Sequence, residues 1–268
     1  MKKVPVSVVI PHYNNAGTIE RAVMSIAGQT WKPMEVIIVD DCSTDKSSRA
    51  VLNDICQKYQ ETLNLVLIKN NKNKGPGASR NIGWNSAKGD YVAFLDSDDA
   101  WNRKKLEIQY GYMKTNPNVD FTCHDNLLKG QTKDINERYS VKEISFNKLL
   151  YKNVIGTRTV MLKKSLENRF VKNKYHSEDY LLWLDIAYDN NTIRKLNIPL
   201  SYSFSHPFLG EGLSGNLLKM YKGELDSYTR IFKEKKISVI KYIIIATFSS
   251  IKFLRRLYIQ IRQKVFGV

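Results

Sequence analysis

Tyr91-Val92-Ala93-Phe94-Leu95-Asp96-Ser97-Asp98-Asp99 decides how this sequence is read: five apolar residues break directly into three carboxylates within four positions. A short, wholly apolar run bounded by polar residues predicts a strand buried on both faces, as in parallel sheets. Similar runs stand at Val6 to Ile10, Val36 to Val39, Leu65 to Ile68 and Val119 to Thr122. Between them the pattern predicts helices over Thr18 to Ala27, Asp45 to Tyr59, Ala78 to Ala87 and Arg103 to Thr115. This alternation is that of βαβ units, where ligands bind beyond the carboxyl ends of the strands. Each of the early runs gives way to a polar segment: Pro11-His12-Tyr13-Asn14, Asp40-Asp41, the stretch 71–77 and the aspartate turn. Beyond about Gly130 the pattern loosens, with a strand expected at Thr159 to Leu162, a helix at Glu178 to Tyr188 and a strand near Leu200 to Phe204.

Composition narrows the classes. The 268 residues are 43% hydrophobic and 25% charged, which excludes a disordered, collagen-like or multi-pass membrane chain. A net charge of +16 predicts a surface that attracts anions such as phosphates, nucleic acid or acidic lipid. Cys42, Cys56 and Cys123 are odd in number and lack a CxxC pair, against a disulfide framework or structural zinc and in favour of a reducing interior. The start, Met1-Lys2-Lys3 before an apolar run, imitates a signal peptide but has no small-residue cleavage site, so it reads as a first buried strand. Lys241 and Lys252 bound the longest greasy stretch, leaving no window of about 20 apolar residues for a membrane span.

The last fifty residues differ in character. From Lys219 onward twelve Lys or Arg face three acids, and Ile240, Ile244, Thr247, Ile251, Leu254, Tyr258, Ile261 and Val265 recur at spacings of three and four. That is the stripe of an amphipathic helix, and Lys252, Arg255, Arg256 and Arg262 are assigned to its opposite face. The expected use is an anchor from about Ile237 to Val268 lying on an anionic membrane surface. The competing use is packing on the rest of the domain, or on a second copy to make a homodimer, because the spacing is heptad-like.

Three segments carry chemistry. Asp96, Asp98 and Asp99 crowd like charge, which favours a bound cation, and their hard oxygens suit Mg²⁺ or Mn²⁺. A plain acidic turn capping the next helix is the alternative. Asp41 ends a buried strand and could accept the imide hydrogen of a pyrimidine stacked on Tyr13, while Asp45 reads better as a helix cap. In the glycine-containing stretch 73–81, Lys74 and Arg80 could face a phosphate, although Arg80 could instead pair with a neighbouring aspartate.

Val8 to Asn14, Ile37 to Asp45, Asn73 to Asn81 and Phe94 to Trp101 together resemble, in order, the signatures of the family 2 glycosyltransferases of the GT-A fold. His176-Ser177-Glu178-Asp179-Tyr180-Leu181-Leu182-Trp183 resembles that family's Glu-Asp motif. The resemblance implies an α/β fold with a Rossmann-like mixed central sheet flanked by helices, followed here by the amphipathic helical tail. Its nucleotide-sugar half would span 1–115, its acceptor half 116–218 and the tail 219–268. It implies a UDP-sugar donor held by Pro11, Tyr13, Asp41, Arg80 and Asp96, and Mn²⁺ or Mg²⁺ on Asp98 and Asp96, with His206 as a candidate third ligand. Asp179 would be the general base of an inverting transfer, with Glu178 and Trp183 toward the acceptor. Tyr202-Ser203 departs from the Tyr-Arg pair of related enzymes. The enzymes resembled build O-antigen, lipopolysaccharide, capsule and exopolysaccharide units on polyprenyl diphosphate, which implies a cytoplasmic protein peripheral on the inner face of the cell membrane. The rivals weighed are a sugar-nucleotidyltransferase and a basic nucleic-acid-binding protein. The first lacks a glycine- and lysine-rich loop near Pro11 to Gly17 and the second lacks any nucleic-acid motif, so no nucleic-acid partner is expected.

Overall fold

Side chains alternate along the early strands and so define two apolar faces. In strand β1 (Lys3–His12), Val4, Val6, Val8 and Ile10 face one core and Val9 the other; in β2 (Lys32–Asp40), Val36 and Ile38 are separated from Ile37 and Val39 in the same way. The computed structural model describes residues 2–131, 138–204 and 215–266, with side chains to Arg262. β1 and β2 are followed by β3 (Leu65–Lys69) and β4 (Tyr91–Phe94), and the four lie parallel in the order β3-β2-β1-β4. Helices α1 (Ala16–Ala27) and α2 (Lys46–Tyr59) cover one face, and α3 (Pro76–Ser86) covers the other. α3 sits very close to the sheet: a Cβ on Gly83 would lie 2.4 Å from a Val9 methyl.

The second half extends the same sheet differently from the sequence expectation. It supplies β5 (Ala100–Trp101), α4 (Lys105–Thr115), β6 (Phe121–Leu128), β7 (Val141–Glu143), α5 (Phe146–Tyr151), β8 (Met161–Lys163), α6 (Glu178–Tyr188) and β9 (Ile193–Ser203). The full order is β3-β2-β1-β4-β8-β6-β9-β5, with β7 on β9. The run at 119–122 does not continue the parallel set directly, as its pattern suggests, because β8 inserts between β4 and β6 and pairs antiparallel with both. β9 begins seven residues before the expected Leu200, because Arg194 and Lys195 hide its apolar alternation. The two halves therefore share one sheet rather than meeting as separate layers.

The tail is two helices, α7 (Leu217–Lys233) and α8 (Val239–Phe266), with a turn between them at Lys235, which takes a left-handed φ of 59°. They form an antiparallel hairpin: Tyr221 stacks on Phe253 at 4.5 Å and Phe232 on Tyr242 at 4.9 Å. Tyr228, Ile231, Ile237 and Ile245 are buried in the core that also holds α5 and α6, so the hairpin is part of the domain and not an appendage beginning at 219. The face of α8 turned inward carries Tyr242, Ile245, Ser249 and Lys252, whose Nζ binds Glu224 at 2.8 Å. The stripe read from the sequence points the other way. Ile240, Ile244, Ile251, Leu254, Tyr258 and Ile261 are all large apolar side chains left exposed. Packing of the stripe on the rest of the domain is thereby overturned. The expected basic opposite face also needs correction: Lys252 turns into the domain, and at about 3.6 residues per turn Arg255 and Arg262 fall beside the stripe.

Candidate active site

The four polar loops converge at the carboxyl edge of β1 to β4. Asn14, in a left-handed φ of 46°, links two of them: its backbone amide donates to Ser43 Oγ at 3.0 Å and its Oδ1 accepts from Thr44 N at 2.8 Å. Asp45 caps α2 by accepting from Ser48 N at 2.6 Å, and the Ser47 and Ser48 donors hold its carboxyl down to about 2. Asn15 and Thr18 bond Ser97 at 3.1 and 2.7 Å, and Arg21 bonds the Asp98 carbonyl at 2.5 Å, so α1 fixes the backbone of the aspartate turn.

Asp41 is buried and bonded by three donors. It accepts from Asn70 Nδ2 at 2.7 Å, from Lys74 N at 3.0 Å and from Gly75 N at 2.7 Å, which pins the glycine loop where Gly75 adopts a φ of 85°. A carboxylate offers about four lone-pair sites. Three of them are taken by these donors, which gives Asp41 a role in shaping the loop. Pro11 lies half-buried within β1 opposite Val39, and Tyr13 stands exposed beside the second loop, free to offer a ring face.

Arg80 is buried, and its guanidinium joins Asp96 Oδ1 at 2.6 Å to Glu178 Oε1 at 2.9 Å. It is not turned to solvent for a phosphate; the alternative of an aspartate pair is the one observed, with Glu178 added. The two carboxylates hold the guanidinium pKa above its ordinary value despite burial. Burial pushes the Glu178 carboxyl up to about 7, Asp179 adds to that, and Arg80 only partly offsets it. Asp179 is raised chiefly by burial as well; its oxygens accept from Tyr180 N at 2.7 Å and Thr157 Oγ1 at 3.1 Å, which fixes the plane of the group. Glu178 is thus a partner of Arg80. Trp183 is corrected too: it is wholly buried, packed on Phe121 and Phe170, with no face left for a sugar.

The aspartate turn divides its labour. Asp96 answers Arg80, and Asp99 is buried against Arg158 at 2.5 Å, its carboxyl pushed up to about 7 by burial. Asp98 enters no ion pair among the described residues, and burial together with Asp96 raises its pKa. An unpaired, partly desolvated carboxylate beside a second one suits a cation. No group of three His, Cys, Asp or Glu side chains among the described residues is arranged to hold a metal. His206 lies outside the described residues.

Sequence pattern does not single out Thr157 and Arg158, because they precede a strand. β8 runs antiparallel to β4, so the 3₁₀ turn at Thr157–Thr159 arrives beside the residues that follow β4. Antiparallel pairing is the signal that could have found them.

The glycosyl transferase family 2 profile matches residues 7–170. The chain is 35% identical over 186 residues to the UDP-Glc:alpha-D-GlcNAc-diphosphoundecaprenol beta-1,3-glucosyltransferase WfgD of Escherichia coli, covering 69% of this chain and 71% of that protein. It is 34% identical over 201 residues to WfaP of the same organism, which carries the same activity name, covering 75% and 77%. Among solved structures, S. aureus TarS 1-349 in complex with UDP-GlcNAc superposes with a TM-score of 0.69 at 23% identity, covering 99% of this chain and 73% of that one, a likeness of fold. The mannosyltransferase PcManGT of Pyrobaculum calidifontis, in complex with GDP-Man and Mn²⁺, also gives 0.69, at 17% identity over 100% of this chain and 77% of that one.

Removing the shared cation tests the network. Arg80→Met leaves the buried Glu178 and the half-buried Asp96 without their cation, a loss of about 3–5 kcal/mol. Glu178, already raised, then rises further above its unfolded value, and Asp96 loses the Arg80 charge that holds it below its own, so the penalty is felt only where these carboxyls must ionise. Glu178 already titrates at about 7, so urea unfolding should show the full deficit above pH 8 and a shrinking one as pH falls toward 5. A deficit that grows on acidification would contradict the assignment.

Proposed function

The chain belongs to glycosyl transferase family 2, and from that premise we propose that it transfers a hexose, with glucose the first to test, from a UDP-sugar to a hydroxyl of a lipid-diphosphate-linked saccharide, inverting the anomeric carbon. The activity named for the two Escherichia coli relatives supports this choice of donor and acceptor. The observation that carries the reading is Arg80, which ties Asp96 at the donor side to Glu178 beside Asp179. One displacement needs a base on one side of the sugar and charge stabilisation of the leaving diphosphate on the other, and the two carboxylate groups meet that need.

In this mechanism Asp179, oriented by Thr157 and the Tyr180 amide, takes the proton of the acceptor hydroxyl. Desolvation makes it a stronger base than a solvated aspartate. Arg80 keeps Glu178 from competing for the same proton by holding it in the pair. Tyr13 offers its exposed ring to the base of the nucleotide, and Asp41 shapes the loop that approaches it. Asp98, with Asp96, would hold Mn²⁺ or Mg²⁺, whose chemistry is Lewis-acid stabilisation of the departing diphosphate.

The exposed stripe of α8 supports a peripheral site of action on an anionic membrane, where the lipid-linked acceptor resides. No helix among the described residues is long and apolar enough to cross a membrane. Arg255, Arg256 and Arg262 stand exposed on the same helix, and each cation near an anionic leaflet contributes about 1 kcal/mol. Charge complementarity therefore favours lipid over a second copy of the chain.

Three outcomes are expected. Asp179→Asn keeps shape but loses the proton acceptor, so turnover should fall by about 10²–10⁴ while calorimetry shows UDP binding unchanged; turnover within a few-fold of wild type would require another base. Excess EDTA should abolish transfer, and Asp98→Ala should do so without lowering the melting temperature. Finally, an Ile240→Gln, Ile244→Gln, Ile251→Gln triple variant should fail to sediment with phosphatidylglycerol vesicles that retain the wild type. A wild type that ignores vesicles but sediments as a dimer, with the variant monomeric, would give the stripe to a second copy.

A further inference from the structure

A cleft of about 390 Å³ opens between α7 and the segment leading into α6. Its walls carry Lys174, Lys219, Lys222 and Arg230 against one acid, Asp226. Lys219, Lys222, Asp226 and Arg230 follow at intervals of three and four and so share one face of α7. The acid is already committed: Asp226 Oδ2 binds Lys174 at 2.7 Å and Arg230 at 2.9 Å. Lys174 is itself buried, with a second bond to the Gly223 carbonyl at 2.9 Å, so the inner end of the cleft is built and rigid. Lys219 and Lys222 pair with no acid among the described residues. Lys219 moreover lies in the first turn of α7, where the helix dipole disfavours a cation and no acidic residue offsets it. The cleft thus holds a surplus of positive charge that a bound anion would relieve.

Its position says which anion. Tyr175, on the cleft wall, has its ring over Gly75, where an added Cβ would come within 2.7 Å, so the cleft abuts the glycine loop of the donor half. From Tyr175 the chain passes through His176 and Ser177 straight to Glu178 and Asp179, and Ser177 Oγ is bonded to the Met220 carbonyl at 3.4 Å. On the other side of α7 lies α8 with its exposed apolar stripe. A ligand with its sugar at Asp179 and its hydrocarbon toward α8 would carry its charge between the two. We propose that this cleft seats the diphosphate of the lipid-linked acceptor, with Lys219 and Lys222 as its outer contacts and Lys174 and Arg230 as the fixed inner charge. The inference rests on the acceptor assignment of the preceding section and adds the residues that would read it.

The test separates the two claims. The full chain, saturated with UDP and Mg²⁺ to fill the donor site, is titrated calorimetrically with geranyl diphosphate. Wild type should bind it, the Lys219→Gln, Lys222→Gln double variant should bind at least tenfold more weakly, the Lys219→Arg, Lys222→Arg variant should recover, and geraniol should not compete. In turnover, the glutamine variant should raise KM at least tenfold for the diphosphate-linked saccharide and less than twofold for the same saccharide as a neutral octyl glycoside. Absence of geranyl diphosphate binding, equal binding by the glutamine variant, or equal KM effects on both acceptors would overturn the cleft assignment. Charge-dependent binding with no transfer to either acceptor would instead overturn the functional reading and leave the anion site standing.

Discussion

A single buried guanidinium holds the two halves of the site in one place. Arg80 comes from α3, Asp96 from the end of β4 and Glu178 from the start of α6, so three elements distant in the chain share one cation. Neither carboxylate would tolerate burial alone, and the arginine would not either; the arrangement persists because each group's desolvation is offset only by the others. Local backbone geometry is bent to that constraint. Gly77 lets the first turn of α3 approach Glu178, where a Cβ would lie 3.1 Å from its Cγ, and Ser177 accepts a left-handed φ of 56° so that α6 can begin there. With Glu178 committed to Arg80, the adjacent Asp179 is left to Thr157 and its own helix amide.

The inserted strand β8 has the second largest consequence. Parallel strands bring the residues that follow them to one edge of a sheet, and a single antiparallel strand brings the residues that precede it. Thr157 and Arg158 reach Asp179 and Asp99 by this route, so one short strand supplies both the orienting hydroxyl of the proposed base and the counter-charge of the innermost aspartate. Asp98 is then the one carboxylate of the turn without an ion pair among the described residues, a division of roles within four consecutive positions that sequence crowding alone does not specify.

The tail shows how one helix can serve two surfaces. α8 buries Ile245 and Ser249 and clasps α7 through paired aromatic stacks, while its longer apolar stripe stays outside. A helix with apolar residues on both sides would be expected in a core; here one side is covered by the domain and the other is left with basic residues at its edge. α7 in turn presents aromatic residues to α8 and a cationic face to the cleft beside α6. Hairpin, cleft and carboxylates therefore lie in sequence along α7 and the start of α6.

Residue pattern was enough to specify the parallel half of the sheet, because uninterrupted β-branched runs have few other uses, and to specify the family, through motifs whose residues are adjacent in the chain. It also offered Asp96, Asp98, Arg80, Glu178 and Asp179, with Pro11, Tyr13, Asp41, Trp183 and His206, as candidate site residues. Which of them pair was beyond its reach, since Arg80 and Glu178 are ninety-eight positions apart and any of several carboxylates could have answered the guanidinium. Trp183 and Asp41 suit ligand contacts by residue type, and only packing reveals that one ring is enclosed by Phe121 and Phe170 and that the other group's oxygens are taken by the glycine loop. The same holds for the tail, whose periodicity establishes an amphipathic helix but not which side meets the domain. Local pattern encodes what a segment can bury; the folded chain sets what it is buried against, because that depends on which distant groups arrive to compete for the same surface.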